Sequence, residues 1–388
     1  MPSKGKAVFM NIRAFSATAD TFDAKELASA SFVAIHSNCE IDPASLNLQA
    51  LSGAVHGATS CLGAMTSDGI TENLGVFAID DPNGAYGTAK KPITDDAKGA
   101  ARAATLDALT NADRLGETPE LIWLSCTPGA EEQVLEGIET VVGPDVPIIG
   151  GSAADNDVSG GWFVYDRKGK CHSGVIVTVM FPSCPVSFAY HNGYAPTEKA
   201  GTVTRVDGRR VLEIDNRPAF DVYREWTDAA VDINADDASM QSILSESTLF
   251  PFGRKVSDIG GVSSYLLAHP AAACTDGSLD LFATVHQGEV LTQMTGTETG
   301  LIERAGRVAS LARSAGHNQK TAVAGALMVY CGGCMLSVRH RLDEVVTGVS
   351  AALENAPFLG TFTFGEQGRI MGAGNRHGNL MISCIIFG

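Results

Sequence analysis

The chain has 388 residues, 45% hydrophobic and 19% charged, an ordinary balance for a globular protein with buried cores, and its length favours two domains over one. Its formal charge of −16, from 44 acidic against 28 basic residues, repels phosphate backbones, and no lysine or arginine run offsets it, so nucleic acid is not an expected partner. The apolar run Ala7 to Met10 stops at Asn11 and Arg13, too short for a secretory signal, and no stretch approaches the ~18 apolar residues of a membrane span; a soluble cytoplasmic protein is expected.

In chain order, one pattern occurs three times: an apolar run ending in a small polar residue, a helical stretch, a second run breaking into glycine and hydroxyl residues, and a third apolar run. Copy one opens with "SFVAIHSNC" (31–39) and continues into a helix that Asp42 could cap, with Pro43 at its first position. It reaches "AVHGATSCLG" (54–63) and closes on "NLGVFAI" (73–79). Copy two opens with "LIWLSCTPG" (121–129), where Thr127 and Pro128 are expected to start a helix over 130–142 whose Glu131 and Glu132 suit its positive end. It reaches "PIIGGSAADND" (147–157) and closes on "HSGVIVTVMF" (172–181).

Different material follows. "TVTRVDGRRVLEI" (202–214) reads as a hairpin about Asp207-Gly208, followed by a helix near 217–227. "SLDLFATVHQGEVLTQMT" (278–295) reads as a second hairpin, turning near Gln287-Gly288, and 300–316 as an amphipathic helix ending on Gly316. The polar stretch 228–242 is the expected boundary between lobes. Copy three opens with "ALMVYCGGC" (326–334), runs helically through 337–355, reaches "PFLGTFTFGE" (357–366) and closes on "HGNLMISCIIF" (377–387). Short, continuously apolar outer runs fit buried strands, and strand–helix–strand units fit an α/β protein of two lobes, with buried mixed sheets flanked by helices on a repeated βαβ-type unit.

Open α/β sheets bind ligands where loops leave the C-terminal ends of strands. Those loops hold Thr59, Ser60, Cys126, Gly150, Gly151, Ser152, Asp155, Cys331, Gly365 and Glu366. In "GGSAADND" the glycines would let backbone approach a ligand while Ser152 and Asp155 direct hydrogen bonds; a tight turn capped by its own Asx residue is the plainer alternative. GxGxxG, a P-loop and a GxSxG nucleophile elbow are all absent. By position alone His56 and His377 are candidate functional groups, with a satisfied or exposed histidine as the plainer alternative for each.

Nine scattered cysteines, an odd number, argue against a disulfide framework. "CGGC" at 331–334 has no second CxxC or histidine pair for zinc, and Met335 rules out CxxCH haem attachment. A redox pair is possible at such a strand-to-helix turn, although Cys126 occupies the register of Cys331 with no partner three residues on. Cys126 or Cys331 as an enzyme's nucleophile or redox thiol is therefore one open reading. Serine in place of Cys334 is expected to cost little.

Together, "VPIIGGSAADND", "RVLEIDNRPAFDVY" and "FLGTFTFGEQGRI…RHGNLMIS" resemble the FIST family, from about residue 30 to 388. The resemblance implies an N-terminal module over 1–227 and a C-terminal module over 228–388, and an intracellular sensory protein that binds a small ligand and regulates a separate partner such as a histidine kinase. Haem with nitric oxide as signal is implied by one bacterial branch, with His377 and then His56 as iron ligands; an amino-acid-type ligand without haem is implied by the family at large. Gly150, Gly151, Ser152, Gly365, Glu366 and His377 match its motifs. Its usual histidine-asparagine pair is split here as His377-Gly378-Asn379.

Overall fold

A computed structural model describes residues 10–234, 239–315 and 322–388. Gly316, the expected end of the long amphipathic helix, lies outside the described residues, as do residues 1–9 and 235–238 within the expected boundary stretch. The protein is mixed α/β, with several multi-stranded sheets flanked by helices.

Each repeat supplies four strands, in the same order, to a six-stranded sheet. In the second, Ala85–Pro92, Gly174–Phe181, Leu121–Cys126 and Ile148–Ser152 lie side by side, the last two parallel and the others antiparallel. The first repeat orders Asn11–Ala17, Leu74–Asp80, Phe32–Ser37 and Ala54–Thr59 in the same way, and the third orders Val186–His191, Ile382–Phe387, Gly325–Cys331 and Phe358–Thr363. The middle strands are buried along their whole length, as their unbroken apolar runs require.

The last two strands of each sheet come from a different repeat. The hairpin Val164–Asp166/Gly169–Cys171 of copy two extends sheet one, Glu366–Ile370/Gly374–Gly378 of copy three extends sheet two, and Ala64–Thr66/Gly69–Thr71 of copy one extends sheet three. The exchange closes on itself, and three backbone hydrogen bonds join the crossing points: Cys61 N–H to Phe362 O at 3.0 Å, Ala154 N–H to Thr59 O at 3.1 Å, and Phe364 N–H to Ser152 O at 3.2 Å.

Between the second and third repeats, a further sheet runs from Met240–Ser242 through Pro270–Cys274, Leu279–Leu281, Arg210–Ile214, Ala195–Asp207, Val290–Thr295 and Phe252–Ile259 to Val262–Ala268. The hairpin at Asp207-Gly208 forms as expected, with Gly208 at φ +59° and the helix Ala219–Trp226 after it. The expected hairpin over 278–295 does not form. Leu279–Leu281 pairs with Pro270–Cys274 and Arg210–Ile214, whereas Val290–Thr295 pairs with Ala195–Asp207 and Phe252–Ile259. Two short alternating runs are free to take separate partners in a wide sheet, which local pattern does not reveal.

Local signals also shift. Asp42 caps as expected, accepting from Ala44 N–H, and Pro43 opens the element, but this is a four-residue 3-10 turn that Asn47 ends in the left-handed region. Thr127 does not cap the copy-two helix; its hydroxyl bonds Gly174, and Glu131–Val142 starts after Ala130. In copy three the helical stretch is broken into Gly332–Ser337, a 3-10 turn at Arg339–Arg341 and Leu342–Ala352, while Glu298–Ala315 packs along Leu342–Ala352.

Candidate functional site

Where the parallel strands of sheet three end, at Cys331 and Thr363, the chain turns into Gly332–Ser337 on one side and Phe364-Gly365 on the other. Facing them across a cavity of about 380 Å³ are Leu244, Thr248 and Leu249 and, from the inserted sheet, His269 and Phe282. The walls are mostly apolar and include no Asp, Glu, Lys or Arg. Cys331, from the strand-end loops, and Asn379 also face it.

Asn379 joins the two bodies. Its N–H donates to Leu267 O at 3.0 Å, its Oδ1 accepts from His269 N–H at 3.1 Å, and its buried Nδ2 has no partner among the described residues. His269, which no motif singles out, is 4% exposed, bonds Ser247 Oγ through Nε2 at 2.9 Å, and is held neutral because burial lowers its pKa to about 4. Its only local signal is its place between a strand ending at Ala268 and the next starting at Pro270.

Behind Phe364, Glu366 is fully buried. Its Oε1 accepts from Thr363 Oγ1 at 2.8 Å and its Oε2 from Met381 N–H at 2.9 Å. Burial nevertheless outweighs these bonds and pushes its pKa up to about 8, so the carboxyl keeps its proton at neutral pH. Gly365 lets the turn pass over its neighbours, since a Cβ there would lie 2.5 Å from His377 Cε1 and 3.3 Å from Ser152 Oγ.

The equivalent strand ends of sheet two hold a polar cluster instead. Ser152 Oγ donates to Glu131 Oε1 at 2.9 Å, and Arg209 Nη2 donates to Glu131 at 2.7 Å and to Glu132 at 2.9 Å. Cys126 lies fully buried there as a thiol, its pKa raised well above the ordinary value by burial first and Glu131 second. Gly150 and Gly151 do not face open space: a Cβ would collide with the Leu124 carbonyl and the Thr363 side chain respectively, so they allow close packing of protein on protein. Asp155 takes the plainer of its two readings, accepting from the N–H groups of Val158, Gly160 and Gly161 at 2.7 Å each. Thr59 fastens Phe163 through bonds to its N–H and carbonyl, and Ser60 Oγ accepts from Phe362 N–H at 2.8 Å and donates to Gly63 O.

The two candidate iron ligands lie apart. His56 is fully buried beside Trp123 and His36, bonds Thr178 Oγ1 at 2.9 Å and Ser125 Oγ at 3.0 Å, and is held neutral by burial. His377 pairs through Nδ1 with Gln367 Nε2 at 3.2 Å and through Nε2 with Phe282 O at 3.4 Å. It faces a second, more polar cleft of about 990 Å³, with Glu132, Arg254, Lys255 and Arg376. Burial raises the Glu132 pKa, but His377 and Arg209 outweigh it and hold it at about 2.

Haem needs an apolar slot and an axial nitrogen or sulfur donor. Neither His56 nor His377 lines the apolar cavity, and His269, which does, uses Nε2 on Ser247. Among the described residues no group of three or more His, Cys, Asp or Glu side chains is placed to hold a metal ion. The two histidines expected as iron ligands therefore lie outside the apolar cavity, whose one sulfur-bearing lining residue among those described is Cys331.

Beside the cavity, Cys334 is fully buried and accepts from Arg304 Nη2 at 3.0 Å, with Tyr194 Oη at 3.6 Å. Burial pushes its pKa up, but a hydrogen bond from Cys331 and the Arg304 guanidinium outweigh it and hold it below the ordinary thiol range. Serine at 334 would replace the sulfur that accepts from the buried Arg304, a contact that the expectation of a small cost leaves out.

Among the described residues no helix is long and apolar enough to cross a membrane. The FIST N domain model matches residues 31–217 and the FIST C domain model residues 219–369. An uncharacterized protein of Methanocaldococcus jannaschii is 30% identical over 98 residues, which is 25% of this chain and only 18% of that protein's length. The crystal structure of cyanuric acid hydrolase from A. caulinodans aligns over 98% of this chain and 99% of its own at 9% identity, with a TM-score of 0.35, at which it carries no inference. The two domain matches run in tandem over most of the chain, which therefore belongs to the FIST family of signal-transduction sensor domains that bind small ligands.

Proposed function

We propose that this FIST protein senses a small, uncharged, largely apolar molecule held in the 380 Å³ cavity between sheet three and the inserted sheet. The observation that carries the reading is the cavity itself: apolar walls with few polar groups, among them Asn379, whose Nδ2 has no partner among the described residues. A ligand with a hydrogen-bond acceptor would satisfy that amide, whose unmet hydrogen bond otherwise costs about 1–3 kcal/mol. Because the walls come from two bodies, a ligand that prefers one relative arrangement shifts the population between arrangements. A separate signalling protein, such as a histidine kinase, would read that shift.

An amino-acid ligand suits the larger cleft better, since its Glu132, Arg254 and Arg376 offer both signs of charge to a zwitterion and the apolar cavity offers neither. Cys126 is poorly suited to act as a nucleophile, because it is a fully buried, high-pKa thiol that lines neither the apolar cavity nor the polar cleft.

The test uses N-phenyl-1-naphthylamine, a neutral probe that fluoresces in apolar surroundings. The wild-type protein is expected to bind it saturably and Ser337→Trp, which fills the cavity, to lose the signal while remaining folded. Equal fluorescence from both proteins, or none from the wild type, overturns the reading.

A further inference from the structure

Arg304 sits on the helix Glu298–Ala315 and is 3% exposed, with no carboxylate at ion-pair distance among the described residues. Its guanidinium lies over the Tyr194 and Tyr330 rings at 5.3 and 5.7 Å, its Nη2 donates to Cys334 Sγ, and its Nε and Nη1 have no partner among the described residues. A buried cation is costly unless an anion faces it. The groups around it are Cys334, Cys331, Tyr194, Tyr330 and, farther off, Glu366, which burial keeps protonated. That leaves the Cys334 sulfur as the anion.

Cys331 lies three residues before it, just ahead of the short helix Gly332–Ser337, close enough that each sulfur shifts the titration of the other, and burial raises its own pKa well above the ordinary thiol range. The other face of Cys331 forms part of the cavity wall. Of the two sulfurs, one is therefore open to a small molecule and the other is held as an anion behind it. Tyr194 connects this pair to the cavity wall, since its hydroxyl donates to Thr248 O at 2.8 Å.

We propose that Cys331 and Cys334 form a thiol–disulfide exchange site, entered through the cavity by a low-molecular-weight disulfide, with Arg304 as counter-ion to the resting thiolate. The proposal uses the same cavity as the ligand reading but needs no resident ligand. Cys331 Sγ attacks one sulfur of the incoming disulfide as its proton passes to Cys334 Sγ; the incoming S–S bond breaks and one thiolate leaves with the electron pair. Cys334 then gives up that proton to the departing thiolate and attacks Cys331 Sγ, expelling the second thiolate. The protein loses two electrons and gains one S–S bond; the small disulfide becomes one thiol and one thiolate. Oxidation removes the anion facing Arg304, so the Arg304–Tyr194–Thr248 contacts must rearrange, and the redox state is felt at the cavity wall.

The probe is bis(2-hydroxyethyl) disulfide added to the folded full-length protein, followed by denaturation, alkylation of the remaining thiols and peptide mapping. The wild type is expected to yield an intramolecular Cys331–Cys334 disulfide with the other cysteines alkylated. Cys334→Ser, which lacks both the thiolate that takes the Cys331 proton and the second sulfur, should form no intramolecular disulfide and only slowly a mixed disulfide on Cys331. Arg304→Met should react more slowly, with the loss growing to about tenfold for each unit by which the thiol pKa comes to exceed the assay pH, and Arg304→Lys should recover most of the rate. If Arg304→Met does not fold, the wild-type and Cys334→Ser products decide alone. Nine unmodified cysteines in the folded wild type, or a disulfide that avoids this pair, overturn the proposal. A disulfide that forms where the naphthylamine does not bind sinks only the ligand reading, and bound naphthylamine without a disulfide sinks only this one.

Discussion

Replacing Glu366 by glutamine should change how the stability of the protein depends on pH. The carboxyl is fully buried and its pKa rises from the ordinary 4.5 to about 8. With the folded value above the unfolded one, the folded chain keeps a proton that the unfolded chain releases, so stability falls as pH rises from about 4.5 and levels off above about 8. Each unit of difference is worth about 1.4 kcal/mol, so the full window amounts to something on the order of 5 kcal/mol. Glutamine has no proton to lose, and it can still accept from Met381 N–H and donate to Thr363 Oγ1 in place of the present bonds. The assay is urea unfolding of wild type and Glu366→Gln, followed by tryptophan fluorescence at half-unit pH steps. The two should be nearly equal at pH 4 and the variant progressively the more stable towards pH 8. A difference that stays flat, or a wild type that gains on the variant as pH rises, would show that Glu366 is ionised in the fold and refute the reasoning.

Cys334→Ser should lower stability by about 3 kcal/mol, the lower range for leaving a buried charge without its partner, measured as a drop in urea midpoint. Gly151→Val should cost about 1–3 kcal/mol by forcing a side chain onto Thr363, and should raise amide exchange in Glu366–Ile370, which pairs with that strand. Asn379→Leu should leave naphthylamine binding intact or tighter, because it removes an unmet Nδ2 from an apolar cavity, but should leave the His269 N–H without its acceptor and lower the melting temperature.

The three repeats were legible because each keeps its buried strands as continuous apolar runs, a signal that lies within a few residues of itself. The exchange of hairpins between repeats was not, since Glu366 meets Gly151 more than two hundred residues away and nothing local encodes that pairing. For the same reason 278–295 misread as a hairpin. Among site residues, Cys331 and Asn379 were found from strand-end position and motif, and both reach the cavity. His269 and Arg304 were missed because their meaning comes from partners, Ser247 and Asn379 for one and Cys334 for the other, that only the fold supplies. The glycines of 150–151 were read as making room for a ligand, when sequence cannot distinguish that from making room for Leu124 and Thr363.

The cavity as the sensing site is tested most directly by hydrogen–deuterium exchange with and without saturating N-phenyl-1-naphthylamine. Protection is predicted over 244–249, 331–337 and 364–366, the segments that wall the cavity from both bodies. Protection confined to the segments around Glu132, Arg254 and Arg376, or no change anywhere, would contradict it.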